Sequence, residues 1–222
     1  MMNKTEIAKL IDHSLLKPDA MVSEIRKLCD EARQFGFYSV CINPYFIPLA
    51  KDFLSGSNVK ITTVIGFPLG MTLTKAKVYE AIAAVMSGSN ELDIVMNIGM
   101  AKTGQWNTVR EDIHEIISVT RGIIHKIIIE TCYLSRDEKI NASGVVLEAG
   151  AEFIKTSTGF GPAGATVEDV KLIRSVVKDC CGIKAAGGVK TLSRVRELIG
   201  AGATRIGTSA GVAIMEEFTS VS

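Results

Sequence analysis

The chain is predicted to be an α/β protein, a compact (β/α)8 TIM barrel in which residues 1–222 form a single domain. Three observations lead there. Eight short β-rich runs alternate with longer helix-periodic segments, and their starts, from Ile11 to Thr204, recur about every 28 residues, which suits βα units with parallel strands. No low-complexity segment or Pro/Ser linker interrupts the alternation. Eight such units in 222 residues also fall at the lower end of the barrel size range. An open doubly wound sheet is the rival, yet no G-x-G-x-x-G follows the first strand and no Walker-type glycine loop occurs.

The predicted strands are Ile11–Leu15, Phe37–Ile42, Lys60–Ile65, Glu91–Met96, His125–Glu130, Phe153–Ser157, Gly182–Ala186 and Thr204–Thr208. Between them, helical spacing puts Val22, Ile25, Cys29 and Ala32 on one face. It does the same for Val78, Ile82, Val85 and Met86, and for Val109, Ile113, Ile116 and Ile117. Ser135-Arg-Asp-Glu138 reads as a capping box opening a helix through Glu148, with Gly150 as its stop. Thr166, followed by Glu168 and Asp169 in a first turn, opens another.

Composition removes several classes of function. Lys plus Arg number 25 against 24 Asp plus Glu, so the chain lacks the basic excess of a general nucleic-acid binder. At 47% hydrophobic and 22% charged it can bury a sizeable core and is not disordered. Its longest apolar run, Ile123 to Ile129, is broken by His125 and Lys126, far short of the roughly 20 apolar residues of a membrane helix. Met1 to Leu10 holds no signal-peptide core, so a cytoplasmic location is expected. Cys29, Cys41, Cys132, Cys180 and Cys181 are odd in number and lack metal-type spacing, which fits reduced, mostly buried thiols.

In a barrel the chemistry belongs at the C-terminal ends of the strands, so charges inside apolar strands are informative. Asp93, Lys155 and Lys184 are such charges. Period-two alternation puts Leu92 and Ile94 opposite Asp93, Ile154 opposite Lys155 and Ile183 opposite Lys184, so all three charges should point into the barrel. One reading is a structural ion-pair network with Asp93, Glu91 or Glu130. The other is catalytic. Burial and a neighbouring ammonium both disfavour a charged lysine, and a neutral lysine forms a Schiff base with a carbonyl. Asp93 would then move protons.

Three glycine-rich turns, Thr158–Gly164, Ala186–Val189 and Ile206–Gly211, end late strands and precede helices, an arrangement suited to holding phosphate on backbone N–H groups. With the lysines they point to a phosphorylated aldehyde or ketone. His13, His114 and His125 show no HxH or HExxH pattern, so no metal site is expected, and no cofactor fingerprint is visible. The enzyme readings are a class I aldolase or a transaldolase-like Schiff-base enzyme on another sugar phosphate. A non-catalytic phosphosugar-binding barrel is the reading from another class, although a binder has no use for a neutral lysine.

The strings Ile11-Asp-His-Ser-Leu-Leu-Lys-Pro18, Val40-Cys-Ile-Asn-Pro44, Gly66-Phe-Pro-Leu-Gly70, Glu152-Phe-Ile-Lys-Thr-Ser-Thr-Gly-Phe160, Ile183-Lys-Ala-Ala-Gly-Gly-Val189 and Arg205-Ile-Gly-Thr-Ser-Ala-Gly211 closely resemble the deoxyribose-phosphate aldolase family, in order, from about residue 10 to 212. The resemblance implies metal-independent, reversible cleavage of 2-deoxy-D-ribose 5-phosphate to acetaldehyde and D-glyceraldehyde 3-phosphate. It makes Lys155 the Schiff-base lysine, Lys184 the lysine that lowers its pKa, and Asp93 the proton-transfer aspartate. It also places Asp12, Cys41 and Thr156 at the substrate pocket, Cys41 as a small buried residue rather than a nucleophile, and Gly159, Gly188, Gly207 and Ser209 in the phosphate turns. Three departures stand out: Ser14 where Thr is common, Ala210 where some members have a second serine, and a tail, Glu216–Ser222, without the C-terminal tyrosine of some members. The expected partner is a small sugar phosphate, with no nucleic acid and no membrane. Assembly as a homodimer or higher homo-oligomer is left open.

Overall fold

In the computed structural model, which describes residues 2–218, a short helix α1 (Lys4–Ala8) leads into strand β1 (Ile11–Leu15). Then follow α2 (Val22–Phe35), β2 (Ser39–Ile42), α3 (Ile47–Phe53), β3 (Lys60–Ile65), α4 (Thr74–Ser87) and β4 (Glu91–Val95). The second half holds α5 (Ile98–Lys102), α6 (Trp106–Val119), β5 (Ile124–Ile128), α7 (Arg136–Glu148), β6 (Phe153–Lys155) and α8 (Val167–Val177). It ends with β7 (Gly182–Ala186), α9 (Leu192–Gly200), β8 (Arg205–Thr208) and α10 (Gly211–Glu216). Every strand pairs in parallel with its sequence neighbours and β8 returns to β1, closing the predicted (β/α)8 barrel. The expectation about the tail falls partly on residues 219–222, outside the described residues.

All eight predicted strands form, and the ends that differ have local causes. Phe37 precedes β2 because Gly36 ends α2 in the left-handed region and the Phe37 N–H closes that turn on the Ala32 carbonyl. β4 stops at Val95 since Asn97 caps α5, accepting from the Met100 N–H. β5 stops before Glu130, whose backbone is left-handed at φ 49°. The capping box of Ser135 and Glu138 opens α7 as expected, and Thr166 caps α8.

The apolar core lies between strands and helices. Leu92, Ile94, Ile127, Ile154, Ile183 and Ile206 pack against helix residues such as Ile25, Cys29, Val109, Ile113, Val170 and Leu198, all fully buried. Each such side chain contributes roughly 1.5–3 kcal/mol relative to exposure. The predicted stripes hold for α6, where Val109, Ile113 and Ile116 are buried, and for most of α2, although Val22 is half exposed. The α4 stripe requires correction. Its buried residues are Lys77, Ala81 and Ala84, whereas Met86 is 82% exposed. The cause is a long amphipathic side chain: the Lys77 stem lies along Gly66, and its ammonium donates to Asp112 Oδ2 at 2.8 Å and to the Val95 carbonyl at 3.1 Å.

No helix among the described residues is long and apolar enough to cross a membrane. The five cysteines are all free; Cys29, Cys41 and Cys181 are buried, Cys132 is half-buried and Cys180 exposed.

Breaking the Lys77–Asp112 pair from one side would strand a buried carboxylate. Lys77→Met, which keeps the apolar stem, is expected to lower unfolding free energy by about 3 kcal/mol or more, measured as a fall in the urea midpoint at constant slope. A loss below about 1 kcal/mol would mean that the pair adds nothing to α4 docking.

Candidate active site

Strand register brings the inward-facing charges together. Asp93 pairs with Lys126 across β4 and β5, and Lys155 with Lys184 across β6 and β7. Asp93 is fully buried and receives three ammonium groups. Its Oδ1 accepts from Lys126 Nζ at 2.9 Å, and its Oδ2 from Lys155 Nζ at 2.8 Å and Lys184 Nζ at 2.7 Å. The Cys41 thiol donates to Oδ2 at 3.8 Å. Around this centre, Lys126 pairs with Glu91 at 2.6 Å, Lys184 with Asp12 at 2.5 Å, and Arg205 with Asp12 at 2.9 Å and Glu91 at 3.1 Å. The Arg205 guanidinium also stacks 3.5 Å from the Tyr38 ring centroid.

Burial raises the cost of ionising Asp93, yet the three lysines outweigh it and hold its carboxyl well below the ordinary 3.8. Asp12 is likewise held low, by Lys184, Lys126 and Arg205 against its own desolvation. Lys184 is held above its ordinary range because Asp12 and Asp93 overcome the burial that opposes its charge. Burial pushes the Cys41 thiol up, so it carries no thiolate at neutral pH.

A cavity of about 360 Å³ opens at the C-terminal end of the barrel, lined by Ser14–Lys17, Lys155, Thr158–Phe160, Ala186–Lys190 and Gly207–Ser209. The glycines at 159, 187 and 188 have positive φ, which turns the chain sharply over the cavity. Gly207 serves a different end. A Cβ there would lie 3.0 Å from Lys184 Cε, so the missing side chain leaves room for the lysine arm to reach Asp93.

Gly159, Gly188, Gly207 and Ser209 therefore lie on the cavity wall with Lys155, as the sequence suggested. Asp12, Cys41 and Thr156 do not. All three are completely buried, Asp12 and Cys41 within the ionic layer and Thr156 behind the wall, its hydroxyl bonded to the Ala186 carbonyl. Lys126, Arg205 and the role of Glu91 were missed or only half seen; the same strand alternation that flagged Lys155 applies to Lys126, whose neighbour Ile127 faces the helices. Glu130, the other carboxylate considered for the network, binds Thr158 instead. The histidines stand apart: His13 bonds Glu31, His125 lies beside Glu152, and His114 is exposed on α6.

Residues 6–217 match the model of the DeoC/LacD family aldolases. The chain is a DeoC/LacD family aldolase. Over 219 residues this aldolase is 55% identical to the deoxyribose-phosphate aldolase of Thermococcus kodakarensis, covering 97% of the present chain and 98% of the relative. Over 215 residues it is 53% identical to that of Caldanaerobacter subterraneus, covering 96% and 93%. Among solved structures, the tetrameric deoxyribose phosphate aldolase of Aeropyrum pernix superposes with a TM-score of 0.93 at 30% identity, covering 99% of this aldolase and 94% of that chain.

The ionic layer gives the aldolase a pH signature. Asp12 and Asp93 bind protons less readily folded than unfolded, so their stabilisation is complete above their ordinary value of 3.8 and drains as pH falls towards the folded values. Lys184 has the opposite sign: its contribution is complete below its ordinary 10.5 and is lost as pH rises beyond it. Urea midpoints should fall steadily on acidification below about pH 4. A midpoint that rises over that interval contradicts the assignment.

Proposed function

We propose that this aldolase reversibly cleaves 2-deoxy-D-ribose 5-phosphate to acetaldehyde and D-glyceraldehyde 3-phosphate through a Schiff base on Lys155. One observation carries the reading: of the three lysines on Asp93, only Lys155 opens onto the cavity, while Lys126 and Lys184 are sealed beneath it. Charge supports it too. Lys126, Lys155, Lys184 and Arg205 face three carboxylates, Asp12, Glu91 and Asp93, so the layer holds one more basic side chain than carboxylates.

Neutral Lys155 adds to C1 of the open-chain sugar to give a carbinolamine. Its hydroxyl takes up a proton through water and leaves as water, forming the protonated imine; the same proton returns to solvent at the final hydrolysis. The C3 hydroxyl then loses its proton and the C2–C3 bond breaks, its electron pair flowing into the imine to give a neutral enamine. Glyceraldehyde 3-phosphate departs. The enamine is protonated at C2, and water hydrolyses the resulting imine to release acetaldehyde and Lys155. Enamine formation removes one positive charge from beside Asp93, which makes its carboxylate more basic at that step, so Asp93 with a water is the proposed proton carrier. Lys184 stays charged throughout.

The phosphate end falls to the turns at Gly159, Gly188, Gly207 and Ser209, with Ser14 and the exposed Lys190 beside them. Names of the relatives supply the deoxyribose phosphate; the cavity and the lysine supply the chemistry. Assembly as a homo-oligomer rests on the tetrameric Aeropyrum relative. The free cysteines suit a cytoplasmic location.

Incubation with deoxyribose 5-phosphate followed by borohydride should inactivate the enzyme irreversibly and add the reduced adduct to the Lys155 peptide, read by mass spectrometry. A label on another lysine, or full activity after reduction, rejects the mechanism.

A further inference from the structure

We propose that Glu130 is a positioning residue that sets the enzyme's preference for phosphorylated substrate by holding the Thr158–Phe160 turn against the cavity. This rests on the reading that the glycine turns hold the substrate phosphate.

Glu130 takes no part in the ionic layer around Asp93, yet it is 2% exposed. Its carboxylate accepts the Thr158 N–H at 3.2 Å on each oxygen and the Thr158 hydroxyl on Oε2. The Cys132 thiol donates to Oε1 at 3.9 Å. With its hydrogen directed at Glu130, the Thr158 hydroxyl presents a lone pair to the Phe160 N–H, 3.0 Å away. One carboxylate thereby fixes both ends of a three-residue turn. Gly159 lies between those ends at φ 88°, and all three residues line the cavity.

The backbone is committed to the same task. Glu130 is one of two non-glycine residues with positive φ among those described, a conformation a β-carbon disfavours and that tends to persist where surroundings enforce it for function. Here the surroundings are two inter-strand bonds, Ile129 N–H to the Lys155 carbonyl and Thr131 N–H to the Thr156 carbonyl, which bracket the kink. The kink aims the carboxylate at the segment that follows Lys155 on the neighbouring strand. Packing closes around it: a Cβ on Gly161 would lie 3.3 Å from Glu130 Cδ, and one on Gly164 would overlap the Gly187 carbonyl. A Cβ on Gly187 would lie 3.7 Å from Gly159 Cα, so the turn anchored by Glu130 abuts the glycine pair at 187–188 along the same cavity wall.

A carboxylate at an anion-binding mouth would repel phosphate if its charge were bare. The donors from Thr158 and Cys132 offset that charge, and an amide, with one accepting oxygen and one donating nitrogen, cannot accept them all. Glu130→Gln keeps the shape and loses this geometry. Thr158→Val removes the hydroxyl that relays it to Phe160, whereas Thr158→Ser keeps it.

The test compares kcat and KM for 2-deoxyribose 5-phosphate and for unphosphorylated 2-deoxyribose in the full-length enzyme. Glu130→Gln should raise KM for the phosphorylated sugar about tenfold with kcat within about twofold, lowering the ratio of kcat/KM between the two sugars about tenfold. Thr158→Val should lower that ratio in the same direction, and Thr158→Ser should retain the wild-type ratio. Equal losses on both sugars would overturn the proposal, since Glu130 would then act on the Schiff-base end, and so would no loss on either. If Glu130→Gln fails to fold, the Thr158 pair decides by the same criteria. A wild-type enzyme that does not prefer the phosphorylated sugar would instead overturn the phosphate reading itself.

Discussion

Asp93, fully buried inside the barrel, accepts from three lysines, and the arrangement of the site follows from the need to keep that buried charge compensated. A carboxylate in this setting must be paired on both oxygens, and each lysine must in turn find anions. Glu91 and Asp12 supply them, and Arg205 ties those two together beneath. The closed sheet makes the layer feasible, since strand pairing sets the heights of Asp93, Lys126, Lys155 and Lys184 relative to one another. Most barrels fill this space with branched apolar side chains. Here ionic pairing takes their place, and the apolar core is displaced to the strand–helix interface.

The layer also explains why one lysine differs from its neighbours. Lys126 and Lys184 are enclosed by partners on every side, whereas Lys155 reaches the same carboxylate from the rim of the cavity. Substrate can approach only that one. Gly207 contributes by omission, leaving the space through which the Lys184 arm passes. The glycine turns line the same cavity as Lys155. Near-neutral charge on the whole chain is compatible with the proposed phosphorylated substrate, because Lys17, Lys155 and Lys190 gather at one cavity.

Sequence alternation made much of this legible. A charge such as Asp93 between Leu92 and Ile94 has only the barrel interior to face, and the same logic found Lys155 and Lys184. Lys126 adjoins His125 in a run whose two polar residues mask the alternation, and Arg205 lies near the start of a strand expected from Thr204, away from the C-terminal ends where the chemistry belongs. The depth of Asp12, Cys41 and Thr156 was not legible at all: whether an inward residue lies on the cavity wall or under it depends on stagger between strands, which no single strand encodes. On α4, nothing in the sequence pairs Lys77 with Asp112 of α6, 35 residues away. Glu130 needed its backbone angle to be seen, since nothing in its neighbours marks a left-handed residue.

The central claim is that Asp93 remains an ionised acceptor held by its lysines. Carbon-detected NMR of protein labelled with 13C at aspartate Cγ, with the Asp93 signal assigned through Asp93→Asn, reads this directly from neutral pH downwards. The account predicts no protonation step for Asp93 while the protein stays folded at or above the ordinary value of 3.8. A titration midpoint at or above that value would contradict it.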